Sequence, residues 1–441
     1  MKKKIFKIVG GVIFIVVLIV ISELVHIYFT EPISVYKVEE FKYNGEPNLS
    51  KVLSKEEVSE DIENIIDIIE STHPIFLEKV PDSYYEAKDR LREISGESIS
   101  VGDLQGYIAQ YLSVLDDGHT ALWWQENRGL DIEWKYIDGS LLLVKNNKLT
   151  DKKVTKIGNI DIDEVISTVK ESFPAENDVA QAKNIEEYSK GKLLLEKTGL
   201  NYNGFIIITV EGSLGEDKLQ VEFGKGNNKI VDYSIYSKII DDNTLYIKLG
   251  VCELNPSLDK VIDDINNYLN NGVTNFIIDV ADNPGGNSQA CTKILEALKI
   301  TPGSYGSVIR FSELAQEQRG YIRNSGSIKF KSNNNAIPNE DINLYVITNE
   351  NTFSSAQMLA VWVSDGNLGT IVGRASSNKP SSYGDIIYFQ LENSKLKGSV
   401  SHKKWVRPDI TKDKESTLEP DIYIDYGEDS LKKVLEEIKG N

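Results

Sequence analysis

The chain has 441 residues, and its 67 acidic residues outnumber its 49 basic residues, for a formal net charge of −18. Its length allows two or three domains with their own hydrophobic cores, and its composition is that of a globular protein. The acidic balance excludes a general affinity for nucleic acid, and the sequence contains no P-loop, no H-E-x-x-H and no C-x-x-C. We therefore expect no nucleic-acid partner, no metal and no cofactor.

Residues 1–29 have the pattern of a membrane anchor. The segment Met1-Lys-Lys-Lys4 precedes an apolar run from Ile8 to Ser22, which resumes after Glu23 and reaches Phe29. Basic residues at the N-terminal end favour a cytoplasmic N-terminus, and no A-x-A cleavage site follows. We predict a single-pass anchor, a polar linker over 30–51, and C-terminal domains outside the cytoplasm at the cell membrane. A cleaved signal peptide is the alternative.

Residues 52–121 have the pattern of a small helical domain. Ser54-Lys-Glu-Glu57 predicts a capping box, and apolar residues at helical spacing follow it. Further helices are predicted over about 83–94 and from residue 100 onward. The region ends in Leu115-Asp-Asp-Gly-His-Thr120, where Asp-Gly favours a turn, so the imidazole of His119 is expected to project from a loop.

Residues 132–229 are rich in predicted strands. Short β-type runs occur at 141–144, 154–157 and 205–210, and the segment 154–165 resembles the strand, turn and helix start of a degenerate PDZ-like module. PDZ modules bind extended peptides by adding a strand to a sheet edge. Peptide binding and a purely structural role are both open for this region.

Residues 232–441 alternate strands with helices, which favours a mostly parallel, layered α/β sheet. One strand, 275–280, leads through a Pro-Gly-Gly turn to a predicted helix over 288–298. A second strand, 344–348, leads to Ser354 at the start of another helix, where the helix dipole is positive. Strand–turn–helix units of this kind build anion-binding and nucleophile sites in α/β proteins.

Three motifs carry a family resemblance. Asp279-Val-Ala-Asp-Asn-Pro-Gly-Gly286 and Thr352-Phe-Ser-Ser-Ala-Gln357 resemble the D-L-R-x-N-P-G-G and T-x-S-A-A-E motifs of the carboxy-terminal processing and tricorn core serine peptidases. The Asp-Gly-His-Thr element at His119 resembles the histidine element of the tricorn-like branch. The resemblance implies a crotonase-like (Clp-protease-like) layered α/β core. Ala281 and Gln357 depart from the family's arginine and glutamate.

The resemblance also implies the roles of the site residues. Ser354 is expected to be the nucleophile and His119 the general base, with backbone N–H groups of Gly285, Gly286 and Ser355 stabilising the oxyanion. For Ser354 the alternative is a simple helix cap, and Ser355 is the rival nucleophile. Because the processing branch uses a lysine base, Lys379 in Gly373-Arg-Ala-Ser-Ser-Asn-Lys379 is the alternative base. No residue is assigned to orient His119.

The expected function is hydrolysis of peptide bonds in extracytoplasmic proteins or peptides, through an acyl-enzyme. The expected partners are a peptide or unfolded protein substrate and, through the N-terminal helix, the membrane. The alternative is an inactive family member that binds peptides or other ligands at the cell surface. Cys252 and Cys291 are expected to be buried free thiols, although a disulfide is possible outside the cytoplasm.

Overall fold

A computed structural model describes residues 17–38, 40–126, 128–225 and 231–440. The first described helix, α1, covers residues 17–30, and its large apolar side chains are exposed. Among the described residues no helix combines the length and the apolar character that a membrane span requires. Residues 1–16 of the predicted anchor lie outside the described residues.

The predicted helical region contains the expected helices. The capping box is confirmed: the Ser54 side chain accepts the Glu57 N–H, and the Glu57 carboxylate accepts the Ser54 N–H. Apolar side chains at helical spacing on the first of these helices, among them Val58, Ile62 and Ile65, are fully buried. The helices are α2 (Lys55–Thr72), α3 (Asp82–Glu93) and α4 (Val101–Ser113), with 3-10 helices at Pro74–Leu77 and Ile94–Gly96.

The β-rich region holds an antiparallel sheet against which helices pack. The three predicted strands are present, but the region also has three helices, of which the sequence indicated only the start of the first. Its elements are β2 (Arg128–Leu130), β3 (Trp134–Ile137), β4 (Ser140–Lys145), β5 (Lys148–Ile157), β6 (Ile160–Asp161), α5 (Ile162–Ser172), α6 (Asp178–Tyr188), α7 (Lys192–Lys197), β7 (Ile206–Gly212), β8 (Gly215–Val221) and β9 (Phe223–Lys225), after a short strand β1 (Ala121–Leu122). The sheet order is β3-β4-β5-β7-β8, with β6 beside β5, while β2 pairs with β9.

Residues 231–440 form two sheets. Their elements are β10 (Ile235–Asp241), β11 (Thr244–Leu249), α8 (Pro256–Asn270), β12 (Asn275–Asp279), α9 (Gln289–Ala297), β13 (Gly306–Arg310), α10 (Glu313–Arg319), β14 (Ser327–Phe330), β15 (Asn343–Thr348), α11 (Ser355–Asp365), β16 (Thr370–Gly373), β17 (Tyr383–Gln390), β18 (Lys397–Val406), β19 (Ile422–Tyr423) and α12 (Ser430–Gly440), with a 3-10 helix at Ile410–Lys412. The first sheet has the order β10-β11-β12-β15-β16-β19. All of its strands except β10 run parallel to one another. The predicted parallel, layered arrangement is therefore confirmed for this sheet.

Helices cover both faces of the parallel sheet. Apolar residues of α8, α9 and α11 pack with β11, β12 and β15 in one cluster, and Val434 of α12 packs with the opposite faces of the same strands in another. β12 and β15 are neighbours in the sheet, in register from Asn275↔Asn343 to Asp279↔Ile347. The turns that follow these two strands therefore lie side by side at their carboxyl ends.

The second sheet is antiparallel, and the sequence analysis did not anticipate it. It joins β1, β18, β13 and β14, with β17 paired to β18. The first six residues of β18 are all buried, so its sequence lacks the polar–apolar alternation that usually marks a strand. One face packs against α2 to α4. Because β1 pairs with β18 through Ala121↔Ser399, the loop that carries His119 is fixed against the core.

Candidate active site

Ser354 has a strained backbone. Its φ and ψ are 53° and −123°, a region that residues other than glycine seldom occupy and that costs about 1–3 kcal/mol. Two hydrogen bonds hold it there: Ser354 N–H donates to Asn378 Oδ1 at 2.8 Å, and Phe353 N–H donates to the Asn283 carbonyl at 2.9 Å. Its side chain caps no backbone N–H of α11. The helix-cap alternative is therefore not what the structure shows.

Ser355, the rival nucleophile, has an engaged hydroxyl. Its Oγ donates to the Gly286 carbonyl at 2.7 Å, and the residue is 5% exposed. A hydroxyl held in this way does not face an incoming carbonyl carbon. The geometry therefore favours Ser354 over Ser355 as the nucleophile.

Gly285 and Gly286 lie directly against Ser354 and Ser355. Both have positive φ, 100° and 128°. A Cβ on Gly285 would lie 2.6 Å from the Ser354 Cβ and 3.0 Å from the Ser355 nitrogen. Only glycine fits so close an approach with this backbone.

The backbone N–H groups of this loop differ in their availability. The Gly285 N–H donates to Asn283 Oδ1 at 2.8 Å. Within the part of the chain that the structure describes, the N–H groups of Gly286 and Ser355 make no hydrogen bond. Two of the three predicted oxyanion donors are thus available, and the third is already engaged.

His119 lies beside the nucleophile loop. Its ring centroid is 4.6 Å from that of Phe353, the residue before Ser354. Its Nδ1 is 3.7 Å from Asp117 Oδ1 and 3.8 Å from Glu176 Oε1, and its side chain is 10% exposed. Neither ring nitrogen makes a hydrogen bond to any described residue. The structure thus brings together two segments that are far apart in sequence, as the resemblance implied.

The two carboxylates determine the protonation of His119. Burial alone would lower the pKa of the imidazole, but Asp117 and Glu176 outweigh it and raise the pKa to about 9. Both carboxylates face Nδ1, so the proton of the neutral ring belongs on Nδ1. This leaves the lone pair on Nε2, the arrangement that a general base requires.

Asp117 is the centre of a buried hydrogen-bond network. One oxygen accepts the His119 N–H at 2.9 Å, and the other accepts hydrogen bonds from the hydroxyls of Thr120 at 2.6 Å and Ser401 at 2.7 Å. Nε2 of His73 lies 3.1 Å from the same oxygen. Burial would raise the pKa of Asp117, but the nearby His119 and His73 rings hold it well below its usual range. Asp117 is therefore a carboxylate that orients the His119 loop.

Glu176 connects the base loop with the nucleophile loop. Its Oε1 accepts the Gly118 N–H at 3.0 Å. Its Oε2 accepts the Asn378 side-chain amide at 2.7 Å and the Lys379 N–H at 2.8 Å. Asn378 in turn accepts the Ser354 N–H, so one chain of contacts runs from His119 to the nucleophile's backbone. The sequence does not predict a role for Glu176, because a lone glutamate between two helices carries no local signal.

Residues 243–424 match the model of peptidase family S41. Over these residues the chain is similar to peptidase family S41, which identifies it as a serine peptidase. The matched segment includes the glycine loop and Ser354. His119 and Glu176 precede this segment, so only the contacts in the structure place them in the site.

Solved structures share the fold of this peptidase. Mature CPAF is 12% identical, with coverage of 87% of this chain and 97% of that chain and a TM-score of 0.59. Mature CPAF complexed with lactacystin is 12% identical, with coverage of 87% and 98% and a TM-score of 0.57. At this identity the likeness establishes the mixed α/β fold alone. No curated protein gave a match.

Lys379, the alternative base, lies next to Asn378 in the candidate site. Its backbone N–H is held by Glu176, and its side chain is half-buried. Burial raises the pKa of the Asp116 carboxyl, and the charge of Lys379 partly offsets that rise. A lysine base must be neutral, which requires a dry, uncharged surrounding. Lys379 instead lies near enough to the Asp116 carboxyl for the two charges to interact.

The two departures from the family motif lie in different surroundings. The carbonyl of Ala281 accepts Lys248 Nζ at 2.9 Å, and the same ammonium pairs with Asp279 at 3.2 Å. Gln357 is 2% exposed, and its Nε2 has no hydrogen-bond partner among the described residues. A lysine thus supplies positive charge at the Asp279 turn, where the family pattern has arginine.

Asp117, His119 and Glu176 each offer one ligand atom, and these atoms lie within 4.8 Å of one another. This spacing could hold a metal ion. Both carboxylates already accept backbone N–H groups, which accounts for the cluster as a hydrogen-bond network.

Cys252 and Cys291 are buried free thiols beneath the glycine loop, with their sulfur atoms 3.5 Å apart. The prediction of buried free thiols is confirmed. The backbone of Cys252 also bonds on both sides of Gly286, to the Gly285 carbonyl and the Asn287 N–H.

Proposed function

We propose that this S41 peptidase is an endopeptidase that cleaves extracytoplasmic proteins or peptides through an acyl-enzyme. Ser354 is the nucleophile, and His119 is first the base and then the acid. The observation that carries the proposal is the strained Ser354, whose hydroxyl caps no helix. Ser354 contacts the glycine loop, and the preceding residue, Phe353, packs on the buried imidazole of His119. Strain of this kind persists where function requires it.

The chemical steps follow from the positions of these groups. The Ser354 hydroxyl attacks the peptide carbonyl while His119 Nε2 takes its proton and later returns it to the leaving amine. The N–H groups of Gly286 and Ser355 stabilise the oxyanion. Gly285 is not proposed as an oxyanion donor, because its N–H already donates to Asn283 Oδ1. Its role is to leave room for the backbone of Ser354 and Ser355. Water then hydrolyses the acyl-enzyme.

The hydrogen bond from Ser354 to His119 Nε2 forms during the reaction. In the free enzyme Nε2 makes no hydrogen bond to a described residue. Gly384 leaves room beside this nitrogen, since even a Cβ there would be 3.7 Å away. Catalytic hydrogen bonds are often long in free enzymes and shorten when substrate binds.

The proposal extends to fold and location. We assign the region of the parallel sheet to the crotonase-like fold and the β-rich region to a degenerate PDZ-like module. The basic N-terminal residues and the exposed apolar side chains of α1 support a membrane anchor with the peptidase outside the cytoplasm. The substrates are peptides or unfolded proteins.

A fluorophosphonate probe tests the catalytic proposal. We expect the wild-type protein to be labelled on Ser354, as located by mass spectrometry, and to cleave an unfolded protein. Ser354→Ala should lose both activities. Ser355→Ala is the matched control and should still be labelled. A folded wild-type protein inert to both probe and unfolded substrate would instead support a ligand-binding member of the family.

A further inference from the structure

We infer that Glu176 is a positioning residue that fixes His119 and Ser354 relative to each other. The inference rests on the proposed function, since it assigns the residue that aligns the proposed base and nucleophile. Glu176 lies in the loop between α5 and α6, outside the part of the chain that matches the family model. It is 3% exposed.

The first argument is the placement of the Glu176 carboxylate between two loops. One oxygen accepts the Gly118 N–H and lies 3.8 Å from His119 Nδ1. The other accepts the Asn378 amide, whose own oxygen accepts the Ser354 N–H. A single carboxylate thus fixes the backbone beside the base and, through Asn378, the backbone of the nucleophile.

The second argument is the fit of the surrounding side chains. A Cβ on Gly118 would lie 3.1 Å from Glu176 Oε1 and 3.0 Å from the Phe353 ring, so glycine is what allows the three groups to meet. The neighbouring Asn177 anchors the same loop by donating to the Ser376 carbonyl at 3.1 Å. The loop is therefore held to the nucleophile side by two consecutive residues.

The charge of Glu176 acts on His119. Glu176 makes no ion pair with lysine or arginine among the described residues, so the positive charge nearest to it is that of protonated His119. Two charged groups act directly on the His119 ring, namely Asp117 on its own loop and Glu176. Four further titratable groups act on the residues beside it: His73 and Tyr383 lie near Asp117, and Asp116 and Lys379 interact with each other. Removing the Glu176 charge should make protonated His119 less stable, which lowers its pKa.

The test is the pH dependence of the fluorophosphonate labelling rate of Ser354 in Glu176→Gln. Labelling requires neutral His119, so the rate should rise with pH. We expect the midpoint in Glu176→Gln to fall by about one unit or more, because a carboxylate near the ring is lost. We expect the labelling rate on the alkaline plateau to fall about tenfold or more, because Ser354 and His119 are no longer held at the distance and orientation that proton transfer requires.

Two variants complete the design. Glu171→Gln is the matched control, because Glu171 is exposed at the end of the neighbouring helix, and its profile should coincide with that of the wild type. Glu176→Asp keeps the charge but shortens its reach, so its midpoint should stay near the wild-type value while its plateau falls. It also keeps the test informative if Glu176→Gln does not fold, as judged by circular dichroism.

The outcomes separate this inference from the proposed function. If the wild type is labelled on Ser354 and the midpoint of folded Glu176→Gln does not move, Glu176 is structural and the inference alone is wrong. Should Glu176→Asp be labelled at the wild-type rate throughout, the inference also fails. If the wild type is not labelled on Ser354, the proposed function fails, and the role of Glu176 fails with it.

Discussion

The imidazole of His119 has two carboxylates on the same side, and their charges determine its protonation. Asp117 and Glu176 both face His119 Nδ1, and together they raise the pKa of the ring to about 9. The same contacts place the proton on Nδ1 and leave Nε2 as the basic nitrogen. A strong base held mostly protonated near neutral pH should work best in alkaline solution.

We therefore predict that the labelling rate of the wild type rises with pH and reaches half of its maximum near the His119 pKa of about 9. The sign follows because only the neutral ring accepts the Ser354 proton, and a raised pKa moves that form to higher pH. The measurement is the fluorophosphonate labelling rate from pH 6 to pH 10, with buffer controls for probe hydrolysis. A midpoint near 6.5, the ordinary pKa of histidine, would contradict the charge assignment.

Local sequence motifs predict only some features of this site. Ser354 and His119 were found because short motifs identify them. The strain at Ser354, the engaged Gly285 N–H and the role of Glu176 could not be found in this way. Each depends on contacts between segments far apart in the chain, such as Glu176 with Asn378.

Among the elements, the turn after β12 controls the geometry of the nucleophile. Its two glycines approach the Ser354–Ser355 backbone so closely that the turn and the start of α11 form one unit. The strand and helix positions of this unit followed from the sequence, because periodicity and turn residues are local signals. The antiparallel sheet of β1, β13, β14, β17 and β18 did not, because its central strand β18 lacks a polar–apolar alternation and pairs with the distant β1 and β13.

At this scale we predict that Gly285→Ala abolishes labelling of Ser354. Its Cβ would lie 2.6 Å from the Ser354 Cβ, so the nucleophile must move. Gly272→Ala is the control: its φ is also positive, at 87°, but a Cβ there has no atom within 4 Å. It should therefore keep its labelling rate despite the same kind of backbone strain. Equal loss in both variants would mean that strain, and not contact with Ser354, explains the effect.

For the molecule as a whole, a buried ion pair joins the nucleophile helix to the second sheet. Arg407, which follows β18, and Asp365, at the end of α11, are both fully buried, with Nη2 and Oδ1 2.5 Å apart. The guanidinium also reaches Glu415 at 2.8 Å and the Lys412 carbonyl at 3.0 Å. Removing one partner leaves the other charge buried without compensation.

We predict that Arg407→Met lowers the free energy of unfolding by about 3–5 kcal/mol, because Asp365 loses its buried partner. Arg92→Met is the matched control, since Arg92 pairs with Glu63 on the surface, where such a pair contributes about 0–1 kcal/mol. Urea denaturation followed by circular dichroism measures both. Similar losses of unfolding free energy in the two variants would show that the buried ion pair does not join α11 to the second sheet.

The rate of fluorophosphonate labelling in two variants shows whether His119 or Lys379 activates Ser354. We predict that His119→Ala lowers the rate by about 10²–10⁴-fold, the usual contribution of general base catalysis. Lys379→Ala should keep most of the wild-type rate, because only the backbone N–H of Lys379 contacts Glu176. A normal rate in His119→Ala together with a lost rate in Lys379→Ala would transfer the base to lysine and contradict the account.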